Sequence, residues 1–342
     1  MTLGINVTAL FAPEHGARGE VPAGRPVPNG TDACTGLPIY SLYGETTKPT
    51  PEMLRGLDAL VFDVQDVGAR FYTFISTMYY AMQACAQNNV TFIVLDRPNP
   101  ITGQVAEGNI LEKQFASFVG VHPIPIRHGM TIGELANMFN GELNVLCDLK
   151  IVTMTGWKRA MYFDETELAW VPPSPNIPTP DTALVYSGMC FLEGTNVSEG
   201  RGTTKPFELF GAPWVDAYQL AESLNALDLP GVRFRPAHFI PTTSKFAQEM
   251  CNGVQIHVRE RKAFQPISTA LHVMKTLHQM YPDLLQFLPA GKSGKLFFDL
   301  LAGTDKTRLG LLAGSPVSEI VGLWNYDLGA FREMSRRYFI YL

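Results

Sequence analysis

Nowhere does the 342-residue sequence string together the roughly 18 apolar residues that a membrane-crossing helix requires, although 46% of it is hydrophobic. No membrane span is therefore expected. An excess of charge is also missing: 27 lysines and arginines stand against 32 acidic residues, a formal net charge of -5, so no broad positive field exists to hold nucleic acid or anionic lipid. The five cysteines, Cys34, Cys85, Cys147, Cys190 and Cys251, include no CxxC pair, and an odd number closes no disulfide framework. They read as buried thiols. GxxxxGK[ST], GxGxxG after a strand, HExxH and GxSxG are all absent, which removes P-loop, dinucleotide, zincin and serine-elbow chemistry. The expected partner is a small or neutral molecule, handled without a cofactor.

What is present is an α/β pattern on a chain long enough for two cores. Short apolar strands at Val7 to Ala12, Ala59 to Val64, Thr91 to Leu95 and Leu149 to Met154 alternate with amphipathic helices, the pattern of a mostly parallel sheet covered on both faces. The helix around Tyr79 to Ala86 stops at Asn88-Asn89, and Thr131 with Glu134 forms a capping box for a helix through Phe139. The proline-rich run Val171 to Pro180 predicts an ordered crossing loop, and Ala183 to Leu192 a strand-like stretch. A boundary near Gly211 to Trp214 gives a first domain of residues 1–211 and a smaller α+β domain of residues 212–342, with helices over Val215 to Ala226 and Ile267 to Met280 and a strand over Gly253 to Val258. The chain opens directly on the strand-like run Ile5 to Phe11, with no basic n-region and apolar h-region. A strand and helix ahead of it, and with them any export signal, are expected to be missing.

Polar residues follow three strands in succession: Glu14-His15-Gly16, then Asp63 and Asp66, then Asp96-Arg97. Parallel strands bring such ends to one sheet edge, where open α/β folds bind ligands. Neighbouring carboxylates split their protonation, which glycoside hydrolysis requires. Strand ends need polar caps in any case, so each of these residues has a plain turn-forming reading beside the catalytic one. Arg70 suits a substrate carboxylate, or a salt bridge to Asp66. Tyr72 suits a sugar contact or the core, and His128 an anion site or a structural role. The densest polar string is Glu193 to Thr204, which holds Glu193, Asn196, Glu199 and Arg201 among three glycines. A metal site from Asp63, Asp66, His15 and His128 stays open, although nothing in the spacing demands one.

The strings Leu10 to Gly19 (LFAPEHGARG), Asp63 to Thr73 (DVQDVGARFYT), Asp96 to Pro100 (DRPNP), Glu193 to Thr203 (EGTNVSEGRGT) and Phe298 to Asp305 (FDLLAGTD) resemble the NamZ (YbbC-like) exo-β-N-acetylmuramidase family, formerly a domain of unknown function. The resemblance runs through nearly the whole chain. It implies a Rossmann-like first domain, a smaller second one closing a cleft, and removal of terminal N-acetylmuramic acid from the non-reducing end of peptidoglycan fragments. On this sequence it implies Glu14 as the principal catalytic carboxylate and general acid. Asp66 or Glu199 would polarise the substrate's acetamido group, because that group can itself act as nucleophile. Arg70 and Arg201 become candidates for the lactyl carboxylate, with His15, Tyr72, Asp96, Asn99, His128, Glu193 and Asn196 around the sugar. The family implies an exported protein, and a homodimer stays open. The competing expectations are a metal-dependent hydrolase of another substrate class and a non-catalytic muropeptide-binding module.

Overall fold

The computed structural model describes residues 4–342; the first three residues of the expected first domain lie outside the described residues. The order of elements is β1 (Leu10–Ala12), β2 (Gly30–Thr31), β3 (Pro38–Ser41), α1 (Pro51–Leu54), β4 (Ala59–Phe62), α2 (Phe74–Asn88), β5 (Thr91–Leu95), β6 (Glu107–Ile110), β7 (Pro125–Arg127), α3 (Ile132–Glu142) and β8 (Leu149–Val152). There follow α4 (Pro180–Met189), β9 (Leu209–Ala212), α5 (Ala217–Ala226), β10 (Val232–Phe239), β11 (Cys251–Val258), α6 (Pro266–Met280), α7 (Phe297–Ala302), α8 (Lys306–Leu312), α9 (Val317–Gly322) and α10 (Asn325–Ser335).

The first part is α/β. Strands β4, β5 and β8 form a parallel sheet in the order β4-β5-β8, with α2 and α3 packed on one face. That face is apolar because alternate residues point to it: Leu60, Phe62, Phe92 and Val94 are buried. The opposite row is open, Val61 and Val152 each being 53% exposed. The single sheet expected from the pattern is divided among the described residues, because β1 pairs in parallel only with β3, which pairs antiparallel with β2. Helix α2 ends as expected at Asn89, left-handed at φ 55°, and α3 carries the full Thr131–Glu134 capping box.

The second part is a smaller α+β unit: an antiparallel sheet β10-β11-β9, with α5 against the sheet and α6 against α4 and α5. Strand β9 spans residues 211 and 212 and pairs with β11. The stretch Ala183 to Leu192, expected as a strand, is instead helix α4 running into a 3-10 turn. Eight of its helical residues, Thr182 to Met189, are buried, so no polar face exists to show a helical period. Its start signal is nonetheless present: Thr179 caps Thr182 N–H and Pro180 opens the first turn. Gly188 allows the α4–α6 approach, since a Cβ there would lie 2.0 Å from Pro266 O. Cys34 departs from expectation in being exposed, whereas the other four cysteines are buried. Among the described residues no helix is long and apolar enough to cross a membrane.

Candidate active site

Strand β1 delivers Pro13 and Glu14 into a turn where His15 and Gly16 both take positive φ, 74° and 84°. The turn is closed by Val21 N–H donating to His15 O and by His15 Nδ1 lying 2.9 Å from Val21 O. It leaves Glu14 partly buried with both oxygens held: Oε1 accepts from Gly24 N–H at 2.9 Å and Oε2 from the Thr73 hydroxyl at 2.6 Å. Thr73 is the residue before α2, so the first and second strand-end motifs meet at this carboxylate.

The cleft around Glu14 and His15 is also lined by Tyr72, Arg201, Ser174 and Asn176 and encloses about 40 Å³. That is room for a ring substituent rather than a whole sugar, which needs a pocket of at least roughly 300 Å³. Two of its lining residues carry an unpaired donor. The Tyr72 hydroxyl and Arg201 Nη1 are buried without a protein partner, and an unpaired buried donor on a residue that lines a cleft calls for an explanation. Burial first, and then the charges of Asp66 and Glu14, hold the Tyr72 phenol well above its ordinary range. The remaining Arg201 nitrogens are engaged, Nη2 with Glu193 at 2.8 Å and Nε with Glu199 at 3.3 Å. Burial opposes the Arg201 charge, but these two carboxylates more than offset it and raise the pKa.

Asp66 stands behind Tyr72. Its Oδ2 accepts from Gly68 N–H at 2.7 Å and lies 3.3 Å from His128 Nε2, while Oδ1 has no partner. His128 Nδ1 accepts from Met130 N–H, and its Nε2 makes no hydrogen bond. Glu199 differs from Asp66 in having both oxygens taken, by Arg201 and by Lys245 Nζ at 2.9 Å.

Other expected residues lie elsewhere. Arg70 meets neither a carboxylate nor the cleft: it is 1% exposed and its two Nη atoms donate to the carbonyls of Asn109, Ile124, Leu301 and Ala302. Asp96 is buried under Thr131, Gly133 and Tyr341, and that burial raises its pKa despite their hydrogen bonds. Asn99 closes a turn on Met130 O and Ile101 N–H. Asn196 fastens its loop to Leu284 and Gln286. Asp63 pairs with Arg97 at the surface. Among the described residues no group of three or more His, Cys, Asp or Glu is gathered to hold a metal.

Ser174, Asn176 and Thr73 are site residues that the sequence reading did not single out. The first two sit in the proline-rich loop, whose crossing path was legible although its destination was not. Thr73 stood within a quoted motif, but nothing local says that its hydroxyl meets a residue 59 positions earlier.

A two-part α/β protein, with a carboxylate cleft at the carboxyl end of a short parallel strand, is the class that this fold and site define. The chain belongs to the NamZ exo-β-N-acetylmuramidase family: the model of its N-terminal domain matches residues 1–181 and that of its C-terminal domain residues 184–341. It is 52% identical over 337 residues to the peptidoglycan β-N-acetylmuramidase NamZ of Bacillus subtilis strain 168, covering 98% of this chain and 80% of that protein. Two solved structures of DUF1343 family proteins from Bacteroides fragilis are also similar. One superposes at a TM-score of 0.91 with 44% identity, covering 99% of this chain and 87% of the other. The second gives 0.75 and 32%, covering 98% and 86%.

Proposed function

We propose that the protein is a glycoside hydrolase that removes non-reducing terminal β-1,4-linked N-acetylmuramic acid from peptidoglycan fragments. The observation that carries this reading is Glu14, seated in a cleft where the Tyr72 hydroxyl and Arg201 Nη1 are left without protein partners. Family membership and the Bacillus subtilis relative named for this activity support it.

In the proposed reaction Glu14 gives its proton to the glycosidic oxygen as the C1–O bond breaks, and the substrate's acetamido oxygen closes on C1. Water then opens that intermediate as Glu14 recovers its proton. Of the two carboxylates considered for polarising the acetamido group, Asp66 retains an unpaired oxygen and Glu199 does not, which favours Asp66, acting across Tyr72. Arg201 offers its free Nη1 to the lactyl carboxylate, the substituent that enters the cleft lined also by His15 and Asn176. We keep the homodimer as a proposal alongside this reading.

The test compares release of para-nitrophenol from the β-N-acetylmuramic acid glycoside and from the N-acetylglucosamine one, with and without chelator, for wild type and Glu14→Gln. Release from the muramic compound alone, indifferent to chelator and reduced at least about a hundredfold in Glu14→Gln, is the expected result. Calorimetric binding of N-acetylmuramic acid without turnover by wild type would make the protein a binding module instead.

A further inference from the structure

The loop that joins β10 to β11, residues 240–250, lies against the polar string Glu193 to Thr204. Thr242 donates to Gly202 O from both its N–H and its hydroxyl, each at 2.9 Å. Gly202 is left-handed at φ 79°, and a Cβ there would stand 2.6 Å from Thr243 N, so a glycine is what lets the two loops meet this closely. Ser244 and Phe246 take positive φ on either side of Lys245, 71° and 56°, a conformation that non-glycine residues seldom adopt. Thr243, Ser244 and Ala247 stay exposed, while the Lys245 side chain between them is only 21% exposed.

Lys245 Nζ donates to Leu192 O at 2.8 Å, to Val197 O at 3.0 Å and to Glu199 Oε2 at 2.9 Å. An ammonium carries three protons, and all three are used. Lys245 therefore has none left for a substrate, and it is not among the residues that line the Glu14 cleft. Its influence runs through Glu199, which is 2% exposed and whose other oxygen lies 3.3 Å from Arg201 Nε. Glu193 holds Arg201 Nη2. Two carboxylates and two cations interlock in this way, and the group is neutral only while Lys245 is in place. We propose that Lys245 is a positioning residue for substrate specificity: by offsetting Glu199 it keeps the unpaired Arg201 Nη1 available to an anionic substituent of the sugar. This rests on the reading of Arg201 as the partner of the lactyl carboxylate. Without Lys245 the two carboxylates outnumber Arg201, and a substrate anion approaching Nη1 meets a cluster of net negative charge. Charges in a partly buried site act on one another well beyond contact distance, so the loss falls on affinity for the anion and not on bond cleavage at Glu14.

The test compares the whole chain as wild type, as Lys245→Met, and as Lys245→Met combined with Glu199→Gln, which makes the cluster neutral again. Each is given para-nitrophenyl β-N-acetylmuramic acid and the methyl ester of its lactyl carboxylate. Wild type is expected to show the lower KM for the acid. In Lys245→Met the KM for the acid rises roughly tenfold, kcat stays within about twofold, and the KM for the ester does not move; the double variant regains the lower KM. Lys245→Gln repeats the comparison with a side chain that still donates to the loop carbonyls, should Lys245→Met fail to fold. Where wild type releases no nitrophenol, the same comparison is read from calorimetric Kd values for N-acetylmuramic acid and its methyl ester. A wild type that does not distinguish acid from ester removes the Arg201 reading, and the proposal with it. A wild type that distinguishes them, with Lys245→Met doing so equally well, overturns the proposal alone. An equal rise in KM for both compounds also overturns it, because the lysine then only holds the loop, as does a double variant no better than the single one.

Discussion

Tyr72 carries the sharpest expectation for a single side chain. Its hydroxyl is buried without a partner, so removing it relieves an unsatisfied group instead of breaking a bond. Tyr72→Phe is expected to leave the urea midpoint unchanged or higher and to lower kcat/KM about tenfold, the loss of one hydrogen bond to substrate. A lower midpoint with unchanged kinetics would make the hydroxyl structural. Glu14 was singled out in the sequence because the PEHG string follows an apolar run directly. Arg70 was legible as important, but for the wrong partners. Its four carbonyls come from Asn109, Ile124, Leu301 and Ala302, and a backbone carbonyl leaves no mark in a side-chain pattern.

Helices and turns were readable wherever their ends carry chemistry. The Thr131–Glu134 box and the Asn89 stop are hydrogen-bonding devices spelled by local residues, whereas α4, buried all round, had no polar face to betray its period. Before α3 lies His122, which packs edge-on against Phe139 at 5.5 Å and leaves Nδ1 unpaired. Burial lowers its pKa from 6.5 to about 4. Between those values the unfolded chain binds the proton and the folded one does not. This group's contribution to stability is therefore lost as pH falls from about 6.5 to about 4. His122→Phe keeps the aromatic contact and removes the titration. Urea midpoints of the variant, taken relative to wild type, should rise as the pH is lowered through that window; a constant difference would clear His122 of the effect.

At the scale of the molecule, the two parts are tied by contacts that bypass the cleft. Arg70 binds the last carbonyls of α7, and Gly303 beyond it is left-handed at φ 75°, where a Cβ would stand 2.6 Å from Arg70 Nη2. The chain end returns as well: Ile340 N–H donates to Glu134 and the Tyr341 hydroxyl to Asp96. Unfolding is expected to be one cooperative transition. Arg70→Lys, which strands several buried carbonyls, should cost about 3 kcal/mol or more and separate the near- and far-UV circular dichroism transitions. Transitions that stay coincident at an unchanged midpoint would show that the clamp does not couple the parts.

By itself the sequence determined the α/β class, the positions of most elements and the family. Each rests on local order: alternation along strands, caps at helix ends, and contiguous motif strings. Only the tertiary structure decided which motif residues share the cleft. Glu14, His15, Tyr72 and Arg201 line it, Asp66 stands behind, and Asp96, Asn99, Asn196 and Arg70 serve as internal ties. The physical reason is that a polar side chain at a strand end satisfies its hydrogen bonds equally well with substrate or with backbone. The choice depends on partners tens to hundreds of residues away, which meet only when the sheets and helices pack.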